Sequence, residues 1–113
     1  IVVVHREILA GDEIVALSID TMPAELIPPA EDEALGHASV FGVLDRLRLE
    51  PVRALAEIHA VRGTEVDIAD DDIADHLLVL LDQLHFDRTG RPIAYSKTYF
   101  VEGRFQFTIL RTR

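Results

Sequence analysis

The sequence predicts an α+β domain, a mostly antiparallel sheet with flanking helices, on three observations. Turn-forming residues at Gly11-Asp12, Asp87 to Gly90 and Glu102-Gly103 separate runs with strand character. One segment, residues 39–49, carries the periodicity of a helix. The elements follow in the order β-β, helix, β, short helix, β-β-β, which suits an antiparallel sheet with helices on one side. At 113 residues, 49% hydrophobic and 27% charged, the chain has material for one core, so residues 1–113 are expected to form a single domain.

Taken in order, residues 1–9 read as a strand, 10–13 as its turn and 14–21 as the returning strand, with Ile14, Ala16, Ser18 and Asp20 on one face. Met22-Pro23 ends this hairpin. Residues 24–30, with Pro28-Pro29, read as a loop or one helical turn, and the acidic 31–35 as a short exposed helical turn. In 39–49, Ser39 is placed to cap a helix in which Val40, Val43, Leu44 and Leu47 share a side, and Pro51 lies beyond its end.

Residues 52–61 alternate, with Val52, Ala54, Ala56, Ile58 and Ala60 opposite Arg53, Glu57 and His59, and predict a strand; the alanines leave a helix open as the alternative. The aspartate-rich 67–75 lacks the Gly and the distal Glu of a calcium loop, and predicts a short helix with Ile68 and Ile73 turned inward. The last third predicts two hairpins in series. A strand over 77–86 turns at Asp87-Arg-Thr-Gly90, and Pro92 opens the next strand, where a proline is tolerated. After Glu102-Gly103, Phe105, Phe107 and Ile109 alternate with Arg104, Gln106 and Thr108 as a further half-buried strand.

Composition narrows the chemistry. Without cysteine there is no thiol catalysis, disulfide framework or thiolate metal site. A net charge of -9 with scattered basic residues argues against this chain itself gripping nucleic acid. The longest apolar run, residues 77–81, is far short of the roughly 20 residues of a membrane-spanning helix. The histidines at 5, 37, 59, 76 and 85 fall on different predicted elements without ligand spacing, so neither a metal nor a cofactor is expected; Glu57 and His59 share a strand face as a hydrogen-bonded surface pair. Ser18, Ser39 and Ser96 lack a nucleophile-elbow setting, and there is no phosphate-cradling Gly loop. A sheet with interior polar residues suits a concave small-molecule pocket.

Phe86-Asp-Arg-Thr-Gly-Arg-Pro-Ile-Ala-Tyr-Ser-Lys-Thr-Tyr-Phe100, with the aromatic run of residues 105–111, resembles the UTRA effector-binding domain of the HutC subfamily of GntR-type bacterial transcriptional regulators. Arg6-Glu-Ile-Leu-Ala-Gly-Asp-Glu-Ile-Val-Ala, Met22-Pro23 and Ser39-Val-Phe-Gly-Val-Leu44 extend the resemblance over almost the whole chain. It implies a fold similar to chorismate lyase, serving as ligand sensor and homodimerisation unit in a cytoplasmic repressor rather than as an enzyme. It also implies a winged helix-turn-helix domain upstream, which alone would contact DNA. A start at Ile1 within a strand-like run fits that expectation.

The resemblance further implies a pocket at Arg6 and Ile8, Ser18, Ser39 and Phe41, and Ala94 and Phe100. Ile8 stands where the family has a second Arg, Ser18 where it has an acid, and Ala94 where a Glu is common. A weakly charged ligand is then expected, a small carboxylic acid whose anion meets Arg6 while Phe41 and Phe100 flank its body. Other roles stay open for these residues: pairing of Arg6 with Glu7 or Asp20, core packing of Phe41 and Phe100, and helix capping by Ser39. A chorismate lyase-like enzyme and a pure dimerisation module are the alternatives.

Overall fold

The computed structural model describes residues 1–27, 40–66 and 72–112. One antiparallel sheet contains β1 (Val2–Ala10), β2 (Glu13–Met22), β3 (Arg53–Arg62), β4 (Leu77–Phe86) and β5 (Pro92–Val101), in the spatial order β1-β2-β5-β4-β3. The helix α1 (Val40–Arg46) lies between β2 and β3, and 3-10 turns at Ala24–Leu26 and Gly63–Glu65 follow β2 and β3. The predicted turn over 31–35 and the first part of the predicted helix over 67–75, with Ile68, lie outside the described residues.

β1 and β2 pair from Val2↔Met22 to Ala10↔Glu13 around Gly11, whose φ of 65° is one glycine adopts without penalty. The register shifts between Ile8↔Ala16 and Leu9↔Ile14, which makes Val15 the extra residue of a bulge. Ile14 therefore leaves the face of Ala16, Ser18 and Asp20, where simple alternation had placed it, and packs on the other side with Leu17 and Tyr99.

Each face of the sheet has its own core. On the first, the chain crossing from β2 to β3 lays Leu44 of α1, fully buried, against Met22, Ile27 and Ala94. On the second, the β3–β4 connection supplies Val66 and Ile73, which bury Leu17, Leu78, Tyr99 and Val101. The inward turn expected of Ile73 is observed, but residues 72–75 form turns, so this face is covered without an α-helix among the described residues.

α1 ends at Arg46, short of the predicted residue 49. The cause is Arg48, whose φ of 58° is left-handed. Its N–H donates to Asp45 O at 3.0 Å and the Leu49 N–H to Leu44 O at 2.9 Å, the paired bonds of a Schellman stop, while Leu44 and Leu49 share the same apolar cluster.

β3 pairs with β4 from Arg53↔Phe86 to Arg62↔Leu77, which resolves the strand-or-helix alternative in favour of the strand. It is an edge strand, exposed along nearly its whole length. On it His59 Nε2 lies 3.0 Å from Glu57 Oε2, the surface pair expected from their spacing.

The β4–β5 turn is organised by Asp87. Its Oδ1 accepts from Thr89 N at 2.9 Å, Thr89 Oγ1 at 2.7 Å and Arg91 N at 3.0 Å, and its Oδ2 from Arg91 Nε at 3.2 Å. These bonds, the Thr89 hydroxyl first, hold its carboxyl below the ordinary carboxylate value. The Asp-x-x-Gly-Arg part of the motif is thus turn chemistry, with Gly90 at φ 84°.

The second hairpin of the last third does not form. After Gly103 there is one isolated parallel bridge, Glu102↔Phe105, and residues 106–112 are not a strand. The chain leaves β5 in the middle of the sheet, where β2 and β4 already occupy both sides. An alternating segment gains ladder hydrogen bonds only beside a free edge. Phe105 and Phe107 instead pack on Phe100, with centroids 4.6 and 4.9 Å from it, and Ile109 is 84% exposed. Arg104 fastens this exit: its Nη1 donates to Ile14 O at 3.0 Å and to Asp72 Oδ2 at 3.2 Å, and its Nε lies 3.4 Å from Glu13 Oε1.

Candidate functional site

The pairing registers stack polar residues on the first face of the sheet. Arg6↔Ser18↔Thr98 forms one row across β1, β2 and β5, and Asp20↔Ser96↔Gln83 the next across β2, β5 and β4. Ser18, Asp20 and Ser96 are 2%, 3% and 5% exposed, so this is a polar centre inside a fold whose other buried residues are almost all apolar. Such a cluster persists only where its members satisfy one another or meet a partner.

Asp20 is its anchor. Its Oδ2 accepts from Ser18 Oγ at 2.7 Å and from Arg6 Nη2 at 3.4 Å. The second contact is long and single, well short of the two-pronged geometry that guanidinium and carboxylate groups achieve when they close fully. Arg6 Nε and Ser96 Oγ are buried and have no hydrogen-bond partner among the described residues. Hydrogen-bonding capacity therefore remains at the centre of the cluster.

His85 extends the group by one row, opposite Ala94. It is 6% exposed, and burial pushes its pKa below the usual 6.5, outweighing the opposing pull of the Asp20 charge. The imidazole is thus favoured in its neutral form.

Of the residues anticipated from the sequence, Arg6 and Ser18 meet through Asp20. Ile8 stands on the same face of β1, 38% exposed, opposite Ala16. Ala94 and Phe100 bracket the cluster along β5: Ala94 is packed with Leu44 and Met22, and Phe100 lies opposite Ala16 with its ring engaged by Phe105 and Phe107. They stand six residues apart, about 20 Å along a strand, so one small molecule does not touch both. Ser39 lies outside the described residues, and of Phe41 only the backbone, within α1, is described.

Asp20, Ser96 and His85 were not singled out as site residues. Asp20 had one legible signal, its period-two spacing from Ser18 on a face expected to be inward. It appeared from sequence only as a possible surface partner of Arg6, because nothing local to it reveals its burial.

The UTRA domain family model matches residues 1–106. No curated protein sequence matches the chain. Among solved structures, the effector domain of PhnF from Mycobacterium smegmatis superposes with a TM-score of 0.82 at 17% identity, covering 96% of this chain and 68% of that one. The C-terminal domain of Yurk from Bacillus subtilis gives 0.78 at 18% identity, covering 96% and 77%. A GntR-family transcriptional regulator from Enterococcus faecalis gives 0.72 at 17% identity, covering 95% and 78%. At these identities the likeness is one of fold, the chorismate lyase-like sheet.

Proposed function

We propose, on the premise that this chain belongs to the UTRA domain family, that it is the effector-binding domain of a GntR-type transcriptional regulator of the HutC subfamily. The observation that carries this reading is the buried Asp20 carboxylate, fixed by Ser18, beside an Arg6 guanidinium and a Ser96 hydroxyl with donors to spare. A ligand carboxylate arriving at Arg6 replaces one long contact with a two-pronged one, and Ser96 offers a further donor.

Ligand charge is limited by the same residues. Asp20 already offsets the one guanidinium of the cluster, so a singly charged small carboxylic acid suits it better than a phosphate. In this reading Arg6, Ser18 and Phe100 line the site, Ala94 packs against Leu44 and Met22 beyond the ligand's reach, and Ser39 and Phe41 complete the family's pattern. The lyase alternative needs cationic groups for both carboxylates of its substrate, which a single Arg already paired with Asp20 does not supply.

In this reading the domain works as part of a cytoplasmic homodimer whose upstream winged helix-turn-helix domains contact DNA. Effector binding shifts the population between dimer arrangements and hence operator affinity. Small carboxylic acids and sugar phosphates screened by thermal denaturation test it, because a ligand selective for the folded state raises Tm by mass action. A carboxylic acid should raise Tm and release operator DNA from the full-length regulator, and Arg6→Ala should abolish both responses. A panel without any shift, or a response unchanged in Arg6→Ala, sinks the assignment.

A further inference from the structure

The second face of the sheet carries a groove of about 610 Å³, separate from the Arg6–Asp20 cluster and unused by the reading above. Its floor is built by cross-strand pairing: His5↔Ile19↔Lys97 runs across β1, β2 and β5, with Thr21↔Tyr95 and Leu17↔Tyr99 on either side. Glu65 and Val66, beyond the end of β3, form its far wall. Lys97 and Ser96 are consecutive on β5 and point to opposite faces, so the groove and the cluster lie back to back.

Lys97 is the only lysine of the chain. It is half-buried, makes no ion pair among the described residues, and holds its Nζ 5.9 Å from the centroid of the Tyr95 ring. Its cross-strand neighbour on β4, Asp82, is engaged elsewhere: Asp82 Oδ2 accepts from Tyr95 Oη at 2.8 Å. That bond pushes the Tyr95 phenol up to about 12, which keeps it protonated and committed to Asp82. Two more donors in the groove, the Thr21 hydroxyl and the Tyr99 phenol, make no hydrogen bond among the described residues. A cation without an ion pair and two hydroxyls without a hydrogen bond among the described residues thus line the same apolar-floored groove.

We propose that this groove is a second binding site, for a small monocarboxylate on a flat apolar body, with Lys97 holding the anion and Ile19, Val66 and Tyr99 meeting the body. An ammonium with neighbouring hydroxyls gives a carboxylate charge-assisted bonds, and the floor, to which Ile19 adds its side chain and Val66 and Tyr99 an edge, supplies apolar contact. Glu65 at the rim disfavours a doubly charged phosphate, against which Lys97 and the exposed His5 are the only basic side chains among the described residues of the groove. The site does not depend on the effector reading, because none of its lining residues belongs to the opposite face.

Benzoate is a direct probe, titrated into the protein and followed by NMR, with the Lys97 ε-methylene as a unique reporter. Saturable binding is expected, with contacts from the benzoate ring to the Ile19 methyls and the Tyr99 ring and none to the Thr98 methyl on the opposite face. Benzamide, which has the same shape without the charge, should bind at least roughly tenfold more weakly. Lys97→Gln should lose benzoate, Lys97→Arg should retain it, and Arg6→Ala should leave it unchanged. The proposal is overturned by no saturation up to about 10 mM, by contacts to Thr98 in place of Ile19, or by undiminished binding in Lys97→Gln. Such an outcome leaves the effector reading untouched, since that depends on Arg6.

Discussion

Ser18 Oγ donates a 2.7 Å hydrogen bond to Oδ2 of Asp20, two residues along the same strand, and both side chains are buried. A buried carboxylate that loses a donor bears a desolvation cost with nothing in return, and the Arg6 contact at 3.4 Å is too long to compensate. Ser18→Ala should therefore destabilise the domain by about 1–3 kcal/mol, seen as a lower urea midpoint at unchanged slope. A midpoint equal to the parent's would mean that water replaces the hydroxyl and that the cluster is wetter than its burial indicates.

His85 gives the fold a sensitivity to mild acid. Burial lowers its folded pKa below the unfolded 6.5, so the unfolded chain takes up the proton first as the pH falls. The contribution of the neutral imidazole is complete above that value and is lost as pH descends from 6.5 through the folded pKa. Tm should decline on acidification from about pH 7 to 5, and His85→Gln should flatten the decline. Equal slopes in the two proteins would assign the acid sensitivity to other groups.

What the sequence disclosed follows the range of the interactions involved. The β4–β5 turn was legible because Asp87 and Thr89 are two residues apart and Gly90 sits between them and Arg91, so the bonding is local. The shared face of Ser18 and Asp20 was legible from period two, but Ile14 was misplaced because a bulge at Val15 depends on how two strands pair. The run from Phe105 to Ile109 alternates as a strand does. Alternation shows that a segment can pair, and only the strand order shows that β5 has no free neighbour for it. Burial of Asp20 was hidden for the same reason, since its surroundings come from β1, β5 and β4.

Gly63 marks a close approach between two backbone segments. It is buried, its N–H donates to His76 O at 2.8 Å, and a Cβ there would collide with Ile73 O and lie 2.7 Å from Ala74 O. Backbone oxygens do not yield as a flexible side chain does, so the turn carrying the fully buried Ile73 would have to move. Gly63→Ala is expected to cost about 3 kcal/mol, at the upper end of overpacking, and hydrogen exchange should report faster opening around residues 73–76. A Tm unchanged in this variant would show that the two segments are not in contact in solution.

Arg48 offers the opposite sign. A non-glycine residue in the left-handed region bears roughly 1–2 kcal/mol of strain between Cβ and the following carbonyl, and the Schellman bonds from Arg48 and Leu49 hold it there. Its side chain is exposed, so little packing is lost on truncation. Glycine relieves the strain but adds freedom to the unfolded chain, which returns about 0.5–1 kcal/mol. Arg48→Gly should consequently stabilise the domain by a net amount of about 0.5 kcal/mol, and Arg48→Ala, which keeps the Cβ, should not. Urea midpoints of the two variants separate relief of backbone strain from loss of the charge, and a midpoint raised equally in both would point to the charge.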